Sequence, residues 1–186
     1  ANVPVDDLDR GLVDYFAGAN DVALVAFDRY IEANPTHDGT ASYYRALTLR
    51  EMQRNQEAID ALEAFIKSYP SHPRWTEAWE DKSFLEWAVQ GNYQAGVKTL
   101  LDFVAAVPNS NQSPSYLMTA ARVTERNNRL HEAVQIWERV ASEYPASEQV
   151  ADALHLASIT RYRLGDFSGA LIVFQRVLLL AILPED

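Results

Sequence analysis

The sequence predicts an all-α fold, an α-solenoid of about five stacked helix–turn–helix units, on three observations. First, a small residue, a bulky apolar residue four later and a proline eight after that recur along the chain. The sets are Ala23/Phe27/Pro35, Ala58/Leu62/Pro70, Gly96/Leu100/Pro108 and Ala133/Trp137/Pro145, then Ala170/Phe174/Pro184 with its proline displaced by two residues. Second, five residues before each small anchor stands a turn position: Gly18, Gln53, Gly91, Asn128 and Gly165. Third, twelve residues before each anchor stand Gly11, Ala46, Phe84, Ala121 and Ser158, four of them small. Self-similarity at 35 to 39 residues marks a stacked helical repeat.

Each element follows from that register. Small residues at the anchor and at the position twelve before it let two helices cross closely. Gly and Asn at the turn tolerate the left-handed conformation that ends a helix. The proline closes the second helix. The first helices are expected over 5–17, 38–54, 74–90, 114–127 and 147–164. Their partners are expected over 20–33, 55–68, 92–106, 130–143 and 167–183. The repeats run 4–35, 38–70, 74–108, 113–145 and 147–184 in a single domain, residues 1–186. Asn109–Ser115 is the most loop-like connector. The third unit departs from the rest. Phe84 stands where the others are small, opposite Gly96, and the expectation is a large-on-small crossing that conserves volume.

Composition narrows the function. The 186 residues carry a formal charge of −10. An acidic surface disfavours nucleic acid and anionic membrane, which need basic patches. There is no cysteine, which removes disulfides, thiolate metal sites and cysteine nucleophiles. No stretch approaches the ~18 apolar residues of a membrane span, so no direct insertion is expected. No secretory leader is recognisable in the chain. His131 opens HEAV, and Gln135 excludes the HExxH zinc pattern. His37 and His72 each follow a repeat-closing proline by two residues and read as surface or helix-cap packing. The acids Glu77, Glu80, Asp81 and Glu86 read as exposed helix turns rather than a converging acid pair. The expectation is no enzyme, no metal and no cofactor.

The pattern resembles the tetratricopeptide repeat, a helix–turn–helix with small residues at the crossing and proline at its end. The clearest stretches are Ala153–Val177 (ALHLASITRYRLGDFSGALIVFQRV) and Asn55–Pro70 (NQEAIDALEAFIKSYP). Tyr69–His72 (YPSH) and Glu143–Leu154 (EYPASEQVADAL) resemble a bacterial envelope branch, the outer-membrane assembly lipoproteins and cell-division coordinators. The resemblance implies a right-handed superhelix and a non-catalytic scaffold that binds a protein or peptide. The alternative it implies is the helical part of a larger envelope enzyme such as a lytic transglycosylase. It suggests the bacterial periplasm or envelope as the setting.

The resemblance also implies that the first helix of each pair lines a concave groove. By register that groove contains Tyr43, Arg50, Arg122, Arg126, His155, Tyr162 and Arg163. Four arginines there would favour an acidic or carboxylate-bearing peptide. Arg122 and Arg126, one turn apart, repel each other unless a partner such as Glu125 satisfies them. Trp75, Trp79 and Trp87 form either core or an apolar patch that grips a partner. Val177–Leu183 is apolar on every face, so it is expected to be covered either by another copy of the chain, a homo-oligomer through the C-terminal helix, or by residues beyond the given sequence.

Overall fold

The computed structural model describes residues 6–182, with side chains through residue 179. Ten α-helices follow one another: α1 (Asp7–Phe16), α2 (Asn20–Ala33), α3 (Thr40–Glu51), α4 (Asn55–Ser68), α5 (Trp75–Phe84), α6 (Tyr93–Ala106), α7 (Ser113–Arg126), α8 (Leu130–Glu143), α9 (Val150–Arg163) and α10 (Phe167–Ile182). Every expected helix is present. No strand occurs among the described residues. The chain divides into two compact units, Ala1–Gly91 and Asn92–Asp186, and the division falls inside the third expected repeat. In the first unit α1 packs on α2, α2 on α3, α3 on α4 and α4 on α5. In the second, α6 packs on α7, α7 on α8, α8 on α9 and α9 on α10. Residues 4–5, Leu183 and Pro184, which the sequence reading includes in the first and last repeats, lie outside the described residues.

The register explains the hairpins. The anchors Ala23, Ala58, Ala133 and Ala170 are buried, as are Phe27, Leu62, Leu100 and Trp137 four residues on. Ala46, Ala121 and Ser158, on the first helices, are buried where the second helices cross them. Gly11 is shaped by the same close approach: a Cβ there would lie 2.6 Å from the Phe27 ring. All five turn positions adopt the left-handed conformation, including Gln53 and Asn128 at φ 59°. A non-glycine residue there costs on the order of 1 kcal/mol.

The prolines act one residue upstream. Asn34, Tyr69, Val107 and Tyr144 end α2, α4, α6 and α8 with φ of −128°, −129°, −135° and −131°. Each directly precedes a proline, whose Cδ excludes the helical conformation from the residue before it.

The third repeat corrects the sequence reading. Phe84 is half exposed, not at a buried crossing; its ring meets Trp87 edge-on at 6.0 Å. The buried small residue is Ser83. Seven residues separate Ala46 from Gln53 and Ala121 from Asn128, but eight separate Ser83 from Gly91. The extra residue is absorbed by a single π-helical turn, Leu85–Val89, that continues α5. A strictly α-helical count cannot contain that residue and so places Phe84 where Ser83 stands.

Candidate functional site

In the second unit, two first helices are tied together at both ends. Near their start Gln149 Nε2 donates to Ser115 Oγ at 2.7 Å. Near their end Arg163 pairs with Glu125. These tethers set α7 beside α9, with the second helix α8 packed against both. The outward positions of α7 are Thr119, Arg122 and Arg126, spaced three and four apart on one face. Those of α9 are His155, Ile159, Tyr162 and Arg163, all exposed. The buried sides of the two helices hold Leu117, Ala121 and Val123, and Leu154, Ala157 and Thr160.

Charge on this face is uneven. Among the described residues, nine of the 13 arginines form ion pairs. Arg122 and Arg126 form none, and both are exposed. Glu125, the nearest candidate partner in sequence, is taken by Arg163. Two unpartnered guanidinium groups thus stand one turn apart on an acidic protein. Tyr162 meets Phe167 edge-on at 5.1 Å, and His155 meets Phe174 at 6.0 Å, so both rings lean on α10.

The other residues expected in the groove have a different environment. Tyr43 is buried, and its hydroxyl donates to Asp81 Oδ2 at 2.9 Å. Arg50 donates to Asp81 Oδ1 at 2.8 Å and also pairs with Glu51. Burial, and then the Asp81 carboxylate, push the Tyr43 hydroxyl above the ordinary phenol range. Asp81 therefore bridges α3 and α5 from a half-buried position. Glu86 is buried too, and pairs with Lys82 at 2.7 Å. The expectation that these two acids lie on exposed turns is corrected: each is drawn inward by a cation or hydroxyl that neutralises its charge.

Trp75, Trp79 and Trp87 are half-buried. Trp75 and Trp79 pack against the first unit's core, meet edge-on at 5.6 Å, and Trp75 Nε1 donates to the Ile66 carbonyl at 2.8 Å. His37 and His72 cap junctions, as their position suggested. His37 Nδ1 accepts from the Gly39 amide at 3.1 Å and His72 Nδ1 from the Arg74 amide at 3.0 Å. No group of acids and histidines able to hold a metal occurs among the described residues. Sequence reasoning missed Ile159, which shares the α9 face. Its signal was available: Ile159 follows Ser158 as Arg122 follows Ala121, one residue past the crossing.

Fold and register together define an all-helical repeat protein, and the comparisons agree at the level of fold. Residues 40–72 match the tetratricopeptide repeat model. No curated protein matches the chain in sequence. Among solved structures, a MamA protein (AMB-1) is similar over 96% of this chain and 96% of its own, at 15% identity and TM-score 0.60. A kinesin light chain from Podosopora anserina with TPR-like repeats is similar over 94% and 93%, at 15% and 0.57. YrrB, described as a TPR protein with an unusual peptide-binding site, is similar over 92% and 83%, at 15% and 0.57.

Proposed function

We propose that this chain is a non-catalytic scaffold whose α7–α9 face binds an extended, carboxylate-bearing peptide. The observation that carries the reading is the unpartnered pair Arg122 and Arg126. Each guanidinium offers a planar fork suited to a carboxylate, and charge-assisted bonds of this kind are about twice as strong as neutral ones. Ile159 and Tyr162 supply apolar and aromatic contacts beside them. The peptide-binding description of YrrB supports the choice of ligand class. The bacterial envelope setting is part of this proposal and rests on the resemblance of Tyr69–His72 and Glu143–Leu154.

The test is an array of acidic peptides with free and amidated C-termini, followed by calorimetric titration of the tightest. Binding should weaken at least tenfold in the Arg122→Ala/Arg126→Ala variant and fall with added salt. Circular dichroism should be unchanged, since removing two exposed like charges relieves repulsion. Equal affinity for the variant, without salt dependence, would reject this face.

A further inference from the structure

The junction of α2, α3 and α4 holds a cavity of about 470 Å³, within the ~300–1,000 Å³ range of ligand pockets. The register explains why it is there. Where α4 carries Ala61, α8 and α10 carry Ile136 and Val173; where α3 carries Ser42, α7 and α9 carry Leu117 and Leu154. Those four larger side chains are at most 8% exposed and close the matching junctions of the second unit. In the same way α3 has Arg45 where α7 and α9 have the buried Ala120 and Ala157. Arg45 reaches across to Asp28 on α2 at 2.5 Å. The first unit thus leaves open, between apolar walls of Ile31, Ala61, Ala64 and Phe65, a space that the second unit fills with its own aliphatic side chains.

The two ends of the cavity are polar, and they differ. The Asp28–Arg45 pair stands at one end. At the other, His37 Nδ1 accepts from the Gly39 amide at 3.1 Å, so the proton of the neutral ring sits on Nε2 and is donated to the Tyr69 hydroxyl at 2.9 Å. Ser42 Oγ stands 3.4 Å from the same Nε2. The Tyr69 and Ser42 hydroxyls, which both line the cavity, keep their own protons free, and no acceptor takes either among the described residues.

We propose that this cavity binds an uncharged, mainly aliphatic ligand whose carbonyl oxygen accepts from Tyr69 and Ser42. The aliphatic body follows from what occupies the same space in the second unit, Ile136 and Leu117. The carbonyl follows from the two free hydroxyl donors, which an oxygen acceptor satisfies and a further apolar group would not. Charge is disfavoured at both ends. Asp28 already neutralises Arg45, and α2 and α4 both end beside Tyr69, where their backbone carbonyls oppose an anion. An ammonium group would meet hydroxyl donors where it needs acceptors. The wall of α4 from Ala61 to Ser68 spans about 10 Å, which takes a short acyl chain.

The experiment titrates the intact chain with hexanamide, hexanoate and hexylammonium, which share one aliphatic body and differ in charge. Backbone amides are followed by nuclear magnetic resonance. Hexanamide should give saturable shifts at the Gly39 amide, which reports on His37, and at Ala61 and Tyr69. It should bind more tightly than either charged analogue. The variant Ala61→Ile, which gives α4 the side chain that α8 carries, should remove the saturable shifts with circular dichroism unchanged. Tyr69→Phe should weaken hexanamide about fivefold, the loss of one neutral hydrogen bond. Four outcomes overturn the proposal: no saturable shift at these amides, tighter binding of either charged analogue, undiminished binding by Ala61→Ile, or unchanged affinity in Tyr69→Phe. Should Ala61→Ile not fold, Ser42→Leu, matching α7 and α9, takes its place with the same outcomes deciding.

Discussion

The first and second units use one frame and finish its surfaces differently. Where α7 carries Arg122 and Arg126, the matching positions of α3 carry Leu47 and Glu51. Leu47 is buried, and Glu51 is paired to Arg50. The first unit closes its polar groups with Asp81, which takes both Tyr43 and Arg50. The second unit uses Glu125 on Arg163 and, among the described residues, leaves Arg122 and Arg126 without an ion pair. The junctions differ in the same way. His37 and His72 accept the backbone amide two residues on, and in the second unit Ser110 and Ser147 do so, from Gln112 at 3.2 Å and Gln149 at 3.3 Å. One backbone device is therefore built from a titratable group in one unit and a non-titratable group in the other. The contrast teaches that the repeat specifies helix placement, while the residues between its anchors specify what each unit can do.

If the frame is shared, damage to it should cost the same in both units. Ala58→Leu and Ala133→Leu should each destabilise by roughly 1–3 kcal/mol through overpacking at a crossing. Denaturant melts followed by circular dichroism check this, and an unchanged midpoint for either variant would show the register to be wrong.

The surfaces should respond oppositely. Asp81→Ala leaves Tyr43 and Arg50 without their acceptor and should cost about 1–2 kcal/mol, reduced from a fully buried case because the pair is partly hydrated. Arg122→Ala/Arg126→Ala should stay within about 0.5 kcal/mol of the wild type. Thermal melts of the two variants side by side would break the comparison if the order were reversed.

The turns offer a sharper test. Gln53→Gly should stabilise by about 0.5–1 kcal/mol, because glycine adopts the left-handed conformation without a Cβ clash. Asn128→Gly should gain less, since asparagine tolerates that conformation better. A melting temperature that does not rise for Gln53→Gly would mean the exposed turn is not strained.

The smallest expected effect is on pH dependence. Burial lowers the His72 pKa below its ordinary value near 6.5. The unfolded chain then binds a proton more readily than the folded one, so stability is full above about 6.5 and is lost as the pH falls through the depressed folded value. Protonation also removes the Nδ1 acceptor from the Arg74 amide. His72→Ser, the residue the second unit uses, should flatten the acid side of the stability profile. Trp75, Trp79 and Trp87 report on the first unit and Trp137 on the second. In the Trp137→Phe variant, fluorescence melts at pH 5 and pH 7.5 should therefore show acid weakening that the serine substitution reduces. Identical profiles with and without His72 would remove the argument.

The sequence by itself determined the ten helices, their turns and their crossings, because these rest on backbone rules that act locally. A proline bars the helical state from its neighbour, a left-handed turn admits few residues, and a close crossing admits only small ones. The groove positions were expected from register and resemblance together; of these Arg122, Arg126, His155, Tyr162 and Arg163 are exposed, whereas Tyr43 is buried and Arg50 half-buried. Only the tertiary structure decided which cations are open. Arg50 and Arg122 read alike in sequence, yet Asp81, 31 residues beyond Arg50, reaches one and, among the described residues, no acid pairs with the other. The π-turn after Phe84 belongs to the same class. An extra residue in a helix has no signature of its own and is revealed only when Ser83, and not Phe84, is found buried. Pairing between distant side chains depends on how helices are brought together, and a one-dimensional period carries no record of it.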